Sequence, residues 1–327
     1  MTFRFKTLAT SALAVALSFS ALPTMAATFT VAVGAASNSL QGQSAARFAS
    51  QLQARLGSAH KVEFYADAQL GDEKELMQKL RLGTVHFTLI SSIMTNVSPE
   101  FALFDLPFLV KDRQHLKAID KNIVQPTLGP LANKAGLQIV STWENGFRQI
   151  TNNTRPINKP SDLKGLKIRT PSSSWRVAMF KEWGANPTAM AFSEVFVALQ
   201  TGTMDGQENP LTNIVGANFQ EVQKFLSMTD HVYSPTYLTS GAATWNNLPA
   251  DVRAAAIEVA ASVQQWSLDE GEKADRELVD KVRAAGTAIN RSDKAAFVAA
   301  SAPIYETFSQ KVPGGGELVK RALALAK

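Results

Sequence analysis

Arg169 and Asn209 are the residues of this chain whose types and spacing most suggest chemistry. Arg169 stands at the end of a short apolar run containing Leu166 and Ile168. Asn209 follows forty residues later, just after an Asp205-Gly206 pair that reads as a tight turn. A guanidinium is always charged and offers a planar fork of donors matched to a carboxylate. An asparagine adds a neutral hydrogen bond beside it. The pair suits holding an organic acid and lacks the usual groups for cleaving one. Taken alone, Arg169 reads equally well as half of a structural salt bridge at a strand end.

Groups for bond-breaking chemistry do not assemble. His60, His86, His115 and His231 have no histidine or carboxylate partner at helical metal-ligand spacing, and no HExxH segment occurs. Gly314-Gly315-Gly316 is not followed by the lysine and hydroxyl residue of a phosphate loop, so it reads as a turn. Ser172-Ser173-Ser174 lacks a nucleophile elbow and reads as a helix N-cap. Asp205 and Glu208 have no companion base, and the turn reading is preferred. The absence of cysteine removes disulfides, thiolate catalysis and cysteine metal sites together. Neither a metal nor a cofactor is expected.

The chain of 327 residues, 45% hydrophobic and 19% charged, is long enough for one large or two medium domains with a self-sufficient core. Its first 26 residues stand apart. Arg4 and Lys6 precede an apolar run from Leu8 to Leu22, and Pro23 to Ala26 supplies small residues for cleavage after Ala26 or Ala27. A membrane anchor needs roughly 20 apolar residues, and this run is shorter and contains Ser and Thr. The sequence therefore predicts a secretory signal and a periplasmic protein. Removing residues 1–26 takes away Arg4 and Lys6 and no acid, so the net charge falls from +5 to +3. The remaining bases are scattered without interleaved aromatics, which gives nucleic-acid binding no support.

Several elements must position Arg169 and Asn209. Phe29 to Val33 alternates as a strand, and Ala45, Phe48, Leu52 and Leu56 share a helical face stopped by Gly57. Lys61 to Ala66 reads as a second strand, Asp72 to Leu82 as a helix closed by Gly83, and Val85 to Ile90 as a third strand. This β-α-β-α-β order predicts a mostly parallel sheet covered by helices. A second α/β series follows. Leu137 to Thr142 and Phe147 to Thr151 are extended, Ser161 to Leu163 turns into the Leu166–Arg169 strand, and Ser172 to Trp183 is helical up to Gly184. Ser193 is placed as the cap of a helix with Val195, Phe196 and Leu199 inward. From Pro249 to Gly286 the one weak point is Gly271. A single helix there would run roughly 50 Å, enough to bridge two lobes, and two helices broken at Gly271 are the alternative. The Pro313–Gly316 loop precedes a short C-terminal helix.

Around the central pair, Lys167-Ile168-Arg169-Thr170-Pro171, Phe192-Ser193-Glu194-Val195, Ala198-Leu199-Gln200-Thr201-Gly202 and Asp205-Gly206-Gln207-Glu208-Asn209-Pro210 resemble the solute-binding proteins of TRAP transporters, the DctP-type family. So do Gln69-Leu70-Gly71, Leu103-Phe104-Asp105-Leu106-Pro107-Phe108 and Glu221-Val222-Gln223-Lys224. Nearly all of the mature chain is covered, in the family's order and spacing. The resemblance implies a two-lobed α/β periplasmic binding protein of the class II-like, TRAP type, with a long helix spanning both lobes. It implies lobe I at 27–146 plus 235–274, and lobe II at 147–234 plus 275–327. It further implies a monomeric receptor, not an enzyme, that closes on an organic acid and delivers it to the small and large subunits of a membrane permease.

The family's carboxylate-binding arginine falls on Arg169 and its asparagine on Asn209. A second arginine corresponds to Arg148, a pocket-walling aromatic to Phe192, and the pocket histidine of sialic-acid receptors to His231. Those receptors carry a glutamate after the third strand where this chain has Ser91, a departure that points away from sialic acid to a smaller or less polar acid. The ligand class expected is a C4-dicarboxylate or a related carboxylate or sugar acid. Ser91 and Ser172 complete the candidate contacts. Trp143 and Trp175 read equally as a flat pocket wall or as core. An exported α/β enzyme acting on organic acids and a ligand-presenting subunit of a membrane sensor are the alternatives.

Overall fold

A computed structural model describes residue 2 and residues 27–326; the signal segment at 1–26 otherwise lies outside the described residues. The chain opens with β1 (Thr28–Ala32), α1 (Leu40–Leu56), β2 (Lys61–Tyr65), α2 (Glu73–Leu82) and β3 (Phe87–Ile90). β1 pairs in parallel with β2 on one side and β3 on the other, the arrangement the alternating pattern predicts. Both helices carry a side-chain cap at their N-termini. Ser39 caps α1 by accepting from Gly42 N. Asp72 and Glu75 form a reciprocal capping box on α2, which ends at Gly83 with φ +73°.

The stretch between β3 and the next strand carries no strong periodicity and folds as short pieces. Two 3₁₀ turns at Ser92–Asn96 and Pro99–Asp105 lead into α3 (Arg113–Ile119), a π-helical segment at Asp120–Leu128 containing Pro126, and α4 (Gly129–Lys134). These bury Phe101, Leu103, Ile119, Ile123 and Leu128 in the largest apolar cluster.

β4 (Leu137–Asn152) is one strand of 16 residues where the sequence suggests two. Its interruption is a pair of register shifts, between Ile139 and Ser141 and between Glu144 and Gly146, with Gly146 at φ +122°. Each leaves an extra residue in β4, and the second frees Asn145 from the ladder. The first part of β4 pairs antiparallel with β9 (Tyr233–Gly241), and the last part pairs with β7 (Gly206–Pro210) and β8 (Phe225–Met228). β4 therefore passes from one half of the sheet into the other.

The second half holds β5 (Lys167–Thr170), α5 (Ser174–Glu182), β6 (Asn186–Ala189), α6 (Val195–Gln200), β7, α7 (Leu211–Gly216) and β8. Strand order across the whole sheet is β2-β1-β3-β9-β4-β7-β5-β6, with β8 on β4 and on β10 (Ala288–Arg291). Three expectations shift here. The N-cap expected in Ser172-Ser173-Ser174 is Ser173, and α5 starts at Ser174 rather than Ser172. Ser193 makes no capping bond, because Phe192–Glu194 is a 3₁₀ turn feeding straight into α6. Gly206 is not a turn residue but the first residue of β7, where a Cβ would lie 2.2 Å from Thr151 O; it is needed for close strand approach.

After β9 come α8 (Ala242–Asn247) and α9 (Ala250–Ala284). α9 is a single helix of 35 residues, about 52 Å long, and it contacts α1 in the first half and α7 in the second. Gly271 does not break it. A Cβ there would sit 2.5 Å from Glu144 Cγ, so the glycine makes room for β4 to cross the helix. Trp143 is fully buried on the same strand and donates to Ala260 O of α9 at 3.0 Å. Trp175 is partly buried and packs on Phe308 at the edge of the core, and neither tryptophan lines the cavity between the two halves. The chain ends with α10 (Lys294–Ala299), α11 (Ala302–Lys311) and α12 (Gly315–Ala324). α11 packs on α5, whereas α12 returns to the first half, where His115 Nε2 meets Ala322 O at 2.7 Å.

Candidate functional site

Parallel strands present their carboxyl ends together, and in open α/β sheets ligands bind just beyond those ends. The chain leaves β1 at Val33–Ala35, β3 at Ser91–Ile93 and β5 at Pro171–Ser172, and all of these line one cavity between the two halves. α2 adds Glu73 from its first turn, the β4 bulge adds Asn145, and the second half adds Arg148, Arg169, Phe192 and Asn209.

Pairing explains the forty-residue spacing. β5 and β7 are parallel neighbours with Arg169 beside Gln207, so Asn209 lies two residues along the adjacent strand. Alternation along β7 sends Gln207 and Asn209 to one face and Glu208 to the other.

Arg169 is buried, and its guanidinium is aimed by a backbone acceptor. Nε and Nη2 donate to Met190 O at 3.0 and 2.6 Å. The Phe192 ring lies 5.9 Å from its Cζ, at the edge of cation–π range. Among the described residues no carboxylate pairs with it. Burial, then the charge of Arg148, lowers its pKa to about 10, so it stays charged at neutral pH. Asn209 accepts from Arg148 Nη2 at 3.0 Å and donates to Gln207 Oε1 at 2.6 Å, leaving one amide N–H for a ligand.

Arg148 is held differently. Glu208 takes its Nε and Nη2, and Glu208 O takes Nη2 as well at 2.6 Å, so Nη1 is what remains for the cavity. Glu208 is the hub of a buried network. Arg176 Nη1 reaches its Oε2 at 2.8 Å, while Arg176 Nη2 pairs with Asp105. Burial alone would raise the Glu208 pKa, but Arg148 and Arg176 overcome that and hold it well below the usual range.

His231 does not line the cavity. It is fully buried behind it against Phe180 and Trp183, with Nδ1 2.7 Å from Thr229 Oγ1 and Nε2 3.2 Å from Glu208 Oε2. Burial lowers its pKa despite Glu208, so it is neutral, and the carboxylate on Nε2 fixes the proton there. Ser91 and Ser172 both line the cavity. Ser91 Oγ donates to Pro235 O at 2.8 Å and accepts from Asn145 Nδ2 at 3.2 Å. Ser172 O accepts from Asn96 Nδ2 at 2.8 Å, a bond that ties the halves together at the cavity rim.

Two residues escaped the sequence reading. Glu208 was set aside with Asp205 as a turn neighbour, and only strand alternation could have separated them. Glu73 reads in sequence as an ordinary acidic first-turn residue of α2. In the structure it is half-buried, Ser91 N donates to its Oε1 at 2.9 Å, and burial raises its pKa to about 7 against that bond and the charges of Arg169 and Arg148.

Comparison with known proteins gives a consistent picture. The family model described as bacterial extracellular solute-binding protein, family 7 (DctP), matches residues 31–311. A solute-binding protein of Verminephrobacter eiseniae is 40% identical over 87% of this chain and 85% of its own length. The 2,3-diketo-L-gulonate-binding periplasmic protein YiaO of Escherichia coli is 35% identical over 84% and 85%. The sugar acid binding protein DctPAm of Advenella mimigardefordensis, solved with galactonate, superposes with a TM-score of 0.87 at 29% identity, covering 91% of this chain and 97% of that one.

Proposed function

Because this chain belongs to the DctP family of bacterial extracellular solute-binding proteins, we propose that it binds a small organic acid in the cleft through Arg169 and delivers it to a TRAP-type membrane permease. Family members are periplasmic solute receptors of two-lobed α/β fold. The observation that carries the ligand class is Arg169 itself: a buried, charged guanidinium, fixed by Met190 O, facing a cavity with no carboxylate of its own paired to it.

A ligand carboxylate that leaves water must regain strong hydrogen bonds. Charge-assisted ones contribute about 1.5–3 kcal/mol each. Arg169, the free N–H of Asn209 and Nη1 of Arg148 together supply much of the roughly 8 kcal/mol of a micromolar site. Phe192 walls the cavity beside Arg169, Ser91 and Ser172 add neutral polar contacts, and His231 acts through Glu208 rather than on the ligand.

We place lobe I at 27–146 with 235–274 and lobe II at 147–234 with 275–327, α12 leaning back onto lobe I. Hinge closure of these lobes excludes water from the acid and strengthens each contact. The reading makes the protein a receptor and not an enzyme, as its family membership supports. It places the mature, monomeric protein in the periplasm after removal of residues 1–26. Thermal-shift measurements with a panel of aldonates, uronates and dicarboxylates test the reading. At least one acid is expected to stabilise the wild type and to lose that effect in Arg169→Ala; undiminished stabilisation of the variant would refute it.

A further inference from the structure

Resting on that reading, we infer that Glu73 selects the ligand: it takes a hydroxyl of a hydroxylated monocarboxylate, such as an aldonate, and rejects acids with a second carboxylate. The charges that line and back the site support this. Arg148, Arg169 and Arg176 bring three positive charges, and Glu208 and Asp105 cancel two of them through direct ion pairs. Those pairs leave one positive charge, on the side of Arg169, for a ligand carboxylate to meet. The ionised Glu73 on the facing wall already brings the sum to zero, so a second carboxylate finds no counter-charge.

The opposite wall has nothing to receive another. Its lining groups beside Glu73 are neutral: Gln41, Ser91, Ser92 and Asn145. Lys74 belongs to the lining but is exposed, where its ammonium keeps its water. Asp72 at the same rim is spent on capping α2. Glu73 itself forms no ion pair among the described residues. One of its oxygens is fixed by Ser91 N, the other has no hydrogen-bond partner among the described residues, and the side chain belongs to the cavity lining. A carboxylate oxygen so placed accepts from an alcohol, and it opposes an anion at the same point. Like-charge juxtaposition of this kind costs several kcal/mol in recognition, enough to exclude a ligand class.

The test uses pairs of acids matched in carbon skeleton: D-galactonate against galactarate, and D-erythronate against succinate. Calorimetry on the mature wild type at pH 8 should show binding of a monocarboxylate at least about tenfold tighter than of its dicarboxylate partner. Glu73→Gln keeps the shape and a hydrogen-bonding group and removes the charge, so that ratio should fall about tenfold or more. Glu73→Ala should lose affinity for the hydroxy acid as well. A wild type that prefers the dicarboxylates, or a Glu73→Gln variant with an unchanged ratio, overturns the assignment to Glu73. If that happens while Arg169→Ala still abolishes binding, the receptor reading stands without it. Absence of binding by any of the four acids and by the wider panel overturns both.

Discussion

Arg148 and Glu208 are locked side chain to side chain across neighbouring strands, and this pairing divides the labour between the two arginines of the cleft. Arg148 is spent on structure with one nitrogen to spare, whereas Arg169 donates to a backbone carbonyl and has no carboxylate paired with it among the described residues.

Replacing Arg169 should separate function from stability. In Arg169→Ala the acid loses one or more charge-assisted hydrogen bonds, a weakening of about ten- to a hundredfold or more. The ligand-free melting temperature should hold or rise, because an uncompensated buried charge is removed. Calorimetric titration and thermal unfolding of one preparation read both quantities, and a large drop in ligand-free stability would mark Arg169 as structural.

Glu208→Gln should do the reverse. Arg148 and Arg176 lose their shared counter-charge in a buried setting, where breaking one partner of such a network costs about 3–5 kcal/mol. A melting temperature lower by roughly 10 °C is expected at about 2–4 °C per kcal/mol. His231 loses its carboxylate partner too, so His231→Gln should cost less and leave binding largely intact.

Gly271→Ala is expected to destabilise although alanine favours helices by about 1 kcal/mol over glycine. The added methyl group meets Glu144 Cγ at 2.5 Å. Glu144 cannot retreat easily, since Arg113 and Tyr233 hold its oxygens. Overpacking of this kind costs about 1–3 kcal/mol, and denaturant unfolding would reveal a lowered midpoint. A raised midpoint would show that β4 and α9 can part.

Binding should respond to pH through Glu73. Burial raises its pKa to about 7, while Arg169 and Arg148 oppose the rise; Asp72 raises it slightly and Lys74 is exposed beside it. A ligand carboxylate that neutralises Arg169 removes one of the lowering influences and adds an anion. The ligand hydroxyl from which Glu73 accepts opposes this by favouring the ionised form. Where the loss of the Arg169 charge is the larger effect, the pKa climbs on binding, protons are taken up near pH 7, and affinity falls as pH rises through about 7. Calorimetry at pH 7 in buffers of different ionisation enthalpy measures that uptake, and Glu73→Gln should abolish it.

Much of this was legible in the residues. The β-α-β-α-β opening, the stop at Gly83, and the long helix from Ala250 follow from periodicity and local chemistry, which act within a few residues. Arg169 and Asn209 stood out because one strand pairing brings them together. What stayed hidden depends on distant partners. β4 looked like two strands because bulges interrupt its pattern. Gly271 looked like a weak point because Glu144, 127 positions earlier, is invisible to a local reading. Glu208 and Glu73 are ordinary acids until the network behind one and the cavity before the other are seen.

Neither half of the molecule is a contiguous stretch of chain. β4 crosses from one to the other in mid-strand, the chain returns at β9, and α9 lies along both. To excise either half, a gene would have to sever a strand inside its hydrogen-bonded ladder and leave a raw edge open to aggregation. Such a receptor is inherited whole. Neither half can be exchanged as a single segment without cutting β4.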